Sequence, residues 1–126
     1  MIYVKIYFWL WKGCENMRRF STPTLKFHLK GDNVEEVLSG TGVLTFGKLN
    51  KETGTFEQAF DATYTVEKDE EDGKIYLCTT LTQEQTASYE DNTNAYVQFR
   101  SIKDGVSIVS TITPIRVLST IKNEVL

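Results

Sequence analysis

The sequence predicts an all-β fold, an antiparallel β-sandwich of the immunoglobulin-like kind with one short helical turn near residues 82–89. Three observations predict it. Thr and Val are plentiful, and six Tyr and seven Phe stand against only two Pro, a balance that favours strands. Apolar residues recur at a two-residue period in several short runs, which buries one face of a strand. Turn signals, among them the Asp72-Gly73 and Asp104-Gly105 pairs, separate those runs at the spacing of a sandwich or small barrel. The chain has 126 residues, enough for one domain with a modest core.

Met1 to Gly13 is aromatic and apolar, unlike everything after it. Lys5 interrupts it and no small-residue cleavage site follows, so it is a poor signal peptide. It is too short to span a membrane, and Cys14 lacks the aliphatic residue that a lipid-anchor site wants upstream. Lys12-Gly13 can be encoded by a ribosome-binding sequence ahead of Met17, so residues 1–16 read as a non-native leader to a 17–126 domain, with translation beginning at Met17. The alternative is an added edge strand carrying Val4, Tyr7 and Trp9.

From Thr24 to Lys30, Leu25, Phe27 and Leu29 alternate with Lys26 and His28 as in a half-buried strand, with Pro23 tolerated at its start. Gly31-Asp32-Asn33 ends it, and Val34 to Leu38 is a short connection. The next strand, Val43 to Leu49, turns Leu44 and Phe46 to one side. Asn50 to Gly54 has the composition of a hairpin loop closed by a glycine at positive φ. Phe60, Ala62, Tyr64 and Val66 then fall in phase on a single strand.

A two-residue turn at Asp72-Gly73 places Val66 opposite Thr79 and Tyr64 opposite Leu81. Thr82 followed three residues later by Gln85 has the capping-box form that starts a helix. The turn at Asp104-Gly105 pairs Ser101 with Ile108, Phe99 with Ser110 and Val97 with Ile112. The opposite face then carries Tyr96, Gln98 and Arg100 beside Thr111 and Thr113. Pro114 marks an edge or an end of ladder pairing. The count is six or seven strands.

No arrangement of residues carries chemistry. His28 is the only histidine; it sits mid-strand on the polar side, without the nucleophile and orienting partner that a catalytic base needs. The chain is therefore read as no enzyme, with no cofactor. Asp69 to Gly73 fails as a calcium loop, because Gly73 as sixth position puts Lys68 and Thr79 where carboxylates are required. Gly40-Thr41-Gly42 lacks a third glycine and leads into a strand, so it is no dinucleotide site. Cys14 and Cys78 have no metal-ligand spacing and read as free thiols, Cys78 as a small hydrophobe within its strand. A net charge of −3 with scattered bases offers no track for phosphate backbones, so neither nucleic acid nor a membrane is an expected partner. The face with Tyr96, Gln98, Arg100, Thr111 and Thr113 is the candidate interface, because Tyr and Arg anchor protein contacts.

Three segments carry a resemblance: Met17-Arg18-Arg19-Phe20-Ser21-Thr22-Pro23-Thr24, Leu81-Thr82-Gln83-Glu84-Gln85-Thr86 and Val97-Gln98-Phe99-Arg100. With them the chain from Met17 on resembles small, mostly uncharacterised proteins of the structural-gene region of tailed phages and prophages of Gram-positive bacteria. The central helical turn is similar to one in the amino-terminal β-sandwich of phage baseplate upper proteins, although this chain has no fibre-forming extension. The resemblance implies a structural or adaptor component of a tail or baseplate, assembled in the bacterial cytoplasm and carried in the virion. Its partners would be other phage structural proteins or further copies of itself. The alternative is a carbohydrate-binding module for a bacterial surface glycan, which requires several of Tyr64, Tyr76, Tyr89 and Tyr96 to lie exposed in one patch.

Overall fold

The computed structural model describes residues 4–8 and 16–119. Nine strands and two short helices follow one another: β1 (Val4–Phe8), β2 (Asn16–Arg18), β3 (Thr24–Gly31), α1 (Val34–Leu38), β4 (Thr41–Asn50), β5 (Thr55–Ala62), β6 (Thr65–Lys68), β7 (Ile75–Thr80), α2 (Gln83–Ala87), β8 (Thr93–Lys103) and β9 (Val106–Leu118). They form a four-stranded sheet in the order β1-β3-β7-β6 and a five-stranded sheet in the order β2-β9-β8-β4-β5. Every pairing is antiparallel except the parallel β2–β9 contact. This is the immunoglobulin arrangement, an ABED sheet facing a GFC sheet with an added C′ strand.

The alternation seen in the sequence puts the core between the sheets. Leu25, Phe27 and Leu29 of β3, Leu44 and Phe46 of β4, Leu77 of β7 and Val97 and Phe99 of β8 are all buried. Phe46 is the hub: its ring meets Phe27 edge-on at 6.4 Å and stacks on Phe60 at 4.9 Å. Thr82 caps α2 as its spacing predicts, accepting from the Gln85 N–H at 3.1 Å while its own N–H donates to Gln85 Oε1 at 2.9 Å.

Several expectations are corrected. The short connection from Val34 to Leu38 is a helix, α1, burying Val37, whose carbonyl accepts from Ser101 Oγ at 2.9 Å. The run from Phe60 to Val66 is two strands, because the chain leaves the five-stranded sheet at Thr63 and Tyr64 and enters the four-stranded one. Thr79 Oγ1 holds that crossing by donating to the Thr63 carbonyl at 2.7 Å. Tyr64 still packs inward, edge-on to Phe99 at 5.5 Å, but Val66 is exposed.

The Asp72-Gly73 turn is wider than two residues. Asp69 and Asp72 each accept from the backbone two residues on, so Val66 pairs with Leu77 instead of Thr79. Cys78 is not a core thiol: Leu77 and Thr79 point inward, and Cys78 lies half-buried on the outer face beside Lys26. Burial first, and then a hydrogen bond with Glu67, push its pKa up. Cys14 lies outside the described residues.

Within the first sixteen residues, Val4 to Phe8 form β1, antiparallel to β3. Val4 and Ile6 are in the core, whereas Tyr7 faces outward beside His28 and Trp9 lies outside the described residues. The other edge of β1 meets the opposite sheet, since the Ile6 and Phe8 N–H groups donate to the Thr111 and Thr113 hydroxyls at 3.3 and 3.4 Å.

Candidate functional site

β8 runs through the five-stranded sheet between β9 and β4, and its odd-numbered residues Ala95, Val97, Phe99 and Ser101 are buried. Tyr96, Gln98 and Arg100 consequently point outward, as expected. The turn at Asp104-Gly105 has both residues at positive φ, 51° and 78°, and pairs Ser101 with Ile108 as its type predicts.

Beyond Arg100 the register shifts by one residue, and Val97 meets Thr113 instead of Ile112. The extra residue is a bulge on β9 stabilised by Ser110, which is buried. Its hydroxyl accepts from the Phe99 N–H at 2.8 Å and donates to the Thr111 carbonyl at 2.8 Å. A one-residue shift turns every following side chain over. Thr111 and Thr113 therefore leave the expected interface and face β1, and Ile112 takes the outward place opposite Gln98. Of the five residues expected to share the interface, the structure brings together Tyr96, Gln98 and Arg100.

Residues from β4 and β5 complete the site. Gly47, opposite Tyr96 on one side and Gln58 on the other, sits beside a second bulge that leaves Ala59 unpaired. A Cβ on Gly47 would approach the Glu57 carbonyl to 2.9 Å. The absence of a side chain there leaves a depression of about 200 Å³, walled by Phe56, Tyr96, Gln98, Arg100 and Ile112. Phe56 and Tyr96 form its aromatic corner, with ring centres 5.0 Å apart at 61°. Below the floor, Tyr89 is buried and donates its hydroxyl to the Gly47 carbonyl at 3.1 Å. Burial raises the Tyr89 pKa, which keeps that hydroxyl a donor.

Polar groups on the face are partly committed. Gln98 Nε2 donates to the Ser110 carbonyl at 2.9 Å and Thr45 donates to Asp61 at 2.8 Å. Arg100 is exposed and has no hydrogen-bond or ion-pair partner among the described residues. Leu49, Phe56, Ile102, Val109 and Ile112, all more than a third exposed, stand on the same face.

Phe56 and Gly47 escaped the sequence reading because only the non-local β4–β5 and β4–β8 pairings bring them to Tyr96. The available signals were a lone Phe in the polar run Thr55-Phe56-Glu57-Gln58 and a Gly inside a strand, which marks a bulge or a close approach. The tyrosines do not share an exposed patch: Tyr76 and Tyr89 are buried, Tyr64 packs inward, and Tyr96 is half-buried on this face.

His28 lies outward on the four-stranded sheet between Tyr7 and Tyr76, at 6.2 and 5.5 Å between ring centres. No group of three or more His, Cys, Asp or Glu among the described residues is placed to hold a metal ion. No helix among them is long and apolar enough to cross a membrane.

No protein-family model matches the chain, and no curated protein matches it. Among solved structures, AggA, the major subunit of aggregative adherence fimbriae type I from Escherichia coli, is similar over 95% of each chain, at 5% identity and a TM-score of 0.29. A likeness of that size bears on neither fold nor function.

Proposed function

We propose that the chain is a non-enzymatic structural or adaptor component of a phage tail or baseplate, working by protein–protein contact through the outer face of the five-stranded sheet. The observation that carries this reading is the composition of that face. Leu49, Phe56, Ile102, Val109 and Ile112 are exposed together around a depression, and the Arg100 guanidinium beside them has no partner among the described residues. Apolar side chains gathered on one sheet face and centred on a Tyr and an Arg have the make-up of an interface core. The phage setting rests on the resemblance carried by the segments around Met17, Thr82 and Val97. The glycan-binding alternative required a shared exposed patch of tyrosines, and the burial of Tyr76 and Tyr89 removes the ground for preferring it.

The test is made on particles purified from an induced strain that encodes the chain. Mass spectrometry should find the wild-type chain in the particles. Arg100→Glu, which alters only an exposed side chain, should keep its melting temperature and be lost from them. Absence of the wild-type chain from particles overturns the phage reading. Equal incorporation of Arg100→Glu overturns the role of this face.

A further inference from the structure

The pairing register of the five-stranded sheet makes its outer face complementary to itself. Thr45 of β4 and Gln98 of β8 are partners in one rung. Two residues to one side along the same strands stand Val43 and Arg100, and two residues to the other side stand Gly47 and Tyr96. Consider a two-fold axis lying along the Thr45–Gln98 rung, above the sheet. It lays a second copy face to face with the first, strands antiparallel, each strand over its own counterpart. Val43 of each copy then lies over the depression that Gly47 opens in the other. The Arg100 guanidinium, which has no partner among the described residues, lies over the Tyr96 ring, where a cation is attracted by the π face. Ile112, in the rung of the axis, meets its own counterpart.

From this register we infer that the occupant of the face is a second copy of the chain, in an isologous two-fold dimer with Arg100 on the partner's Tyr96 and Val43 in the partner's Gly47 depression. The inference rests on the reading of this face as an interface and names its partner. Two sheets stacked in this way pack about 10 Å apart, as the layers of a sandwich do. Four strands about 4.8 Å wide and five outward rungs about 6.8 Å apart cover roughly 650 Å² per copy, or about 1,300 Å² in total, at the low end of specific interfaces. A closed two-fold contact is also the commonest assembly of identical chains.

The experiment is light scattering on the full chain and its variants across a micromolar concentration series. Wild type should give twice the 14.4 kDa chain mass. Arg100→Glu sets a carboxylate over the partner's Tyr96 ring, and Tyr96→Lys sets an ammonium against the partner's Arg100, so each alone should be monomeric with its thermal unfolding retained. An equimolar mixture of the two variants should form a one-to-one heterodimer, because one new contact is an ion pair and the other is the native Arg100–Tyr96 contact. The double variant should dimerise with itself through two such ion pairs. No other register gives this pattern of loss and rescue. A wild-type monomer, an assembly larger than two, or a mixture that stays monomeric overturns the inference. If wild type is monomeric while Arg100→Glu is still lost from phage particles, the dimer falls and the reading of the face as an interface stands.

Discussion

On the outer face of the four-stranded sheet, Lys26 stands 4.4 Å over the Tyr76 ring and meets Glu67 at 3.3 Å. On the outer face of the five-stranded sheet, Arg100 has neither among the described residues, and Phe56, Ile102 and Val109 are about half exposed. The first face covers its buried aromatic with the stem of a lysine and neutralises that lysine locally. Such an exposed ion pair adds little stability, but it occupies both the lysine and the ring that it covers. The second face keeps its apolar side chains and its cation uncommitted. The difference lies in composition as well as pairing: the first face turns Lys26, His28 and Tyr76 outward, whereas the second turns Leu49, Phe56, Ile102, Val109 and Ile112 outward.

Substitutions that act on both faces, on one, or on the other test this contrast. The largest effect is expected for Phe46→Ala, because Phe46 is fully buried between the sheets and supports both. It should lower unfolding free energy by about 3–5 kcal/mol in denaturant titration, the usual range for truncating a core phenylalanine. A loss under about 1 kcal/mol would show that the two faces do not share one core.

Ser110→Ala acts on the five-stranded sheet alone. It strips the hydroxyl that the Phe99 N–H donates to and leaves that buried donor unpaired. The expected cost is roughly 1–3 kcal/mol, with faster hydrogen exchange at the Phe99 amide. Unaltered exchange there would mean that the bulge does not depend on Ser110.

The smallest effect belongs to His28 on the four-stranded sheet. Burial, followed by the positive charges of Lys74 and Lys30, holds its pKa below the usual 6.5, with Asp72 opposing. The unfolded chain therefore takes up the proton first, so this contribution is complete above about 6.5 and is lost as the pH falls below it. His28→Gln should flatten the fall in melting temperature between pH 7.5 and pH 5, by on the order of 1 °C given its exposure. Superimposable pH profiles for wild type and variant would remove His28 from the account.

The parts legible in the sequence were those governed by neighbours along the chain. The Thr82–Gln85 cap, the Asp104-Gly105 turn and the inward alternation of Leu25, Phe27 and Leu29 need no long-range partner to be recognised. Thr111 and Thr113 were misplaced because the bulge at Ser110 is fixed by hydrogen bonds to Phe99 and by β1 on the far side. Neither is visible in a two-residue period. Phe56 joined Tyr96 only through two strand pairings, and Tyr64 and Val66 parted because the chain changed sheets between Ala62 and Thr65.

The parallel pairing of β2 with β9 bears on how the chain carries load. Asn16 opens β2 and Leu118 closes β9, and the ladder runs from Asn16 opposite Arg116 to Arg18 opposite Leu118. Tension between Val4 and Leu118 draws β1 lengthwise, because Ile6 and Phe8 bond to Thr111 and Thr113 in the same order along β9. It then reaches a pair whose strands are drawn lengthwise past each other, where the ladder bonds, the Arg19 N–H to Leu118 carbonyl bond and the Arg18 contact to Ser119 resist together. Force between these residues thus meets two successive contacts loaded in shear.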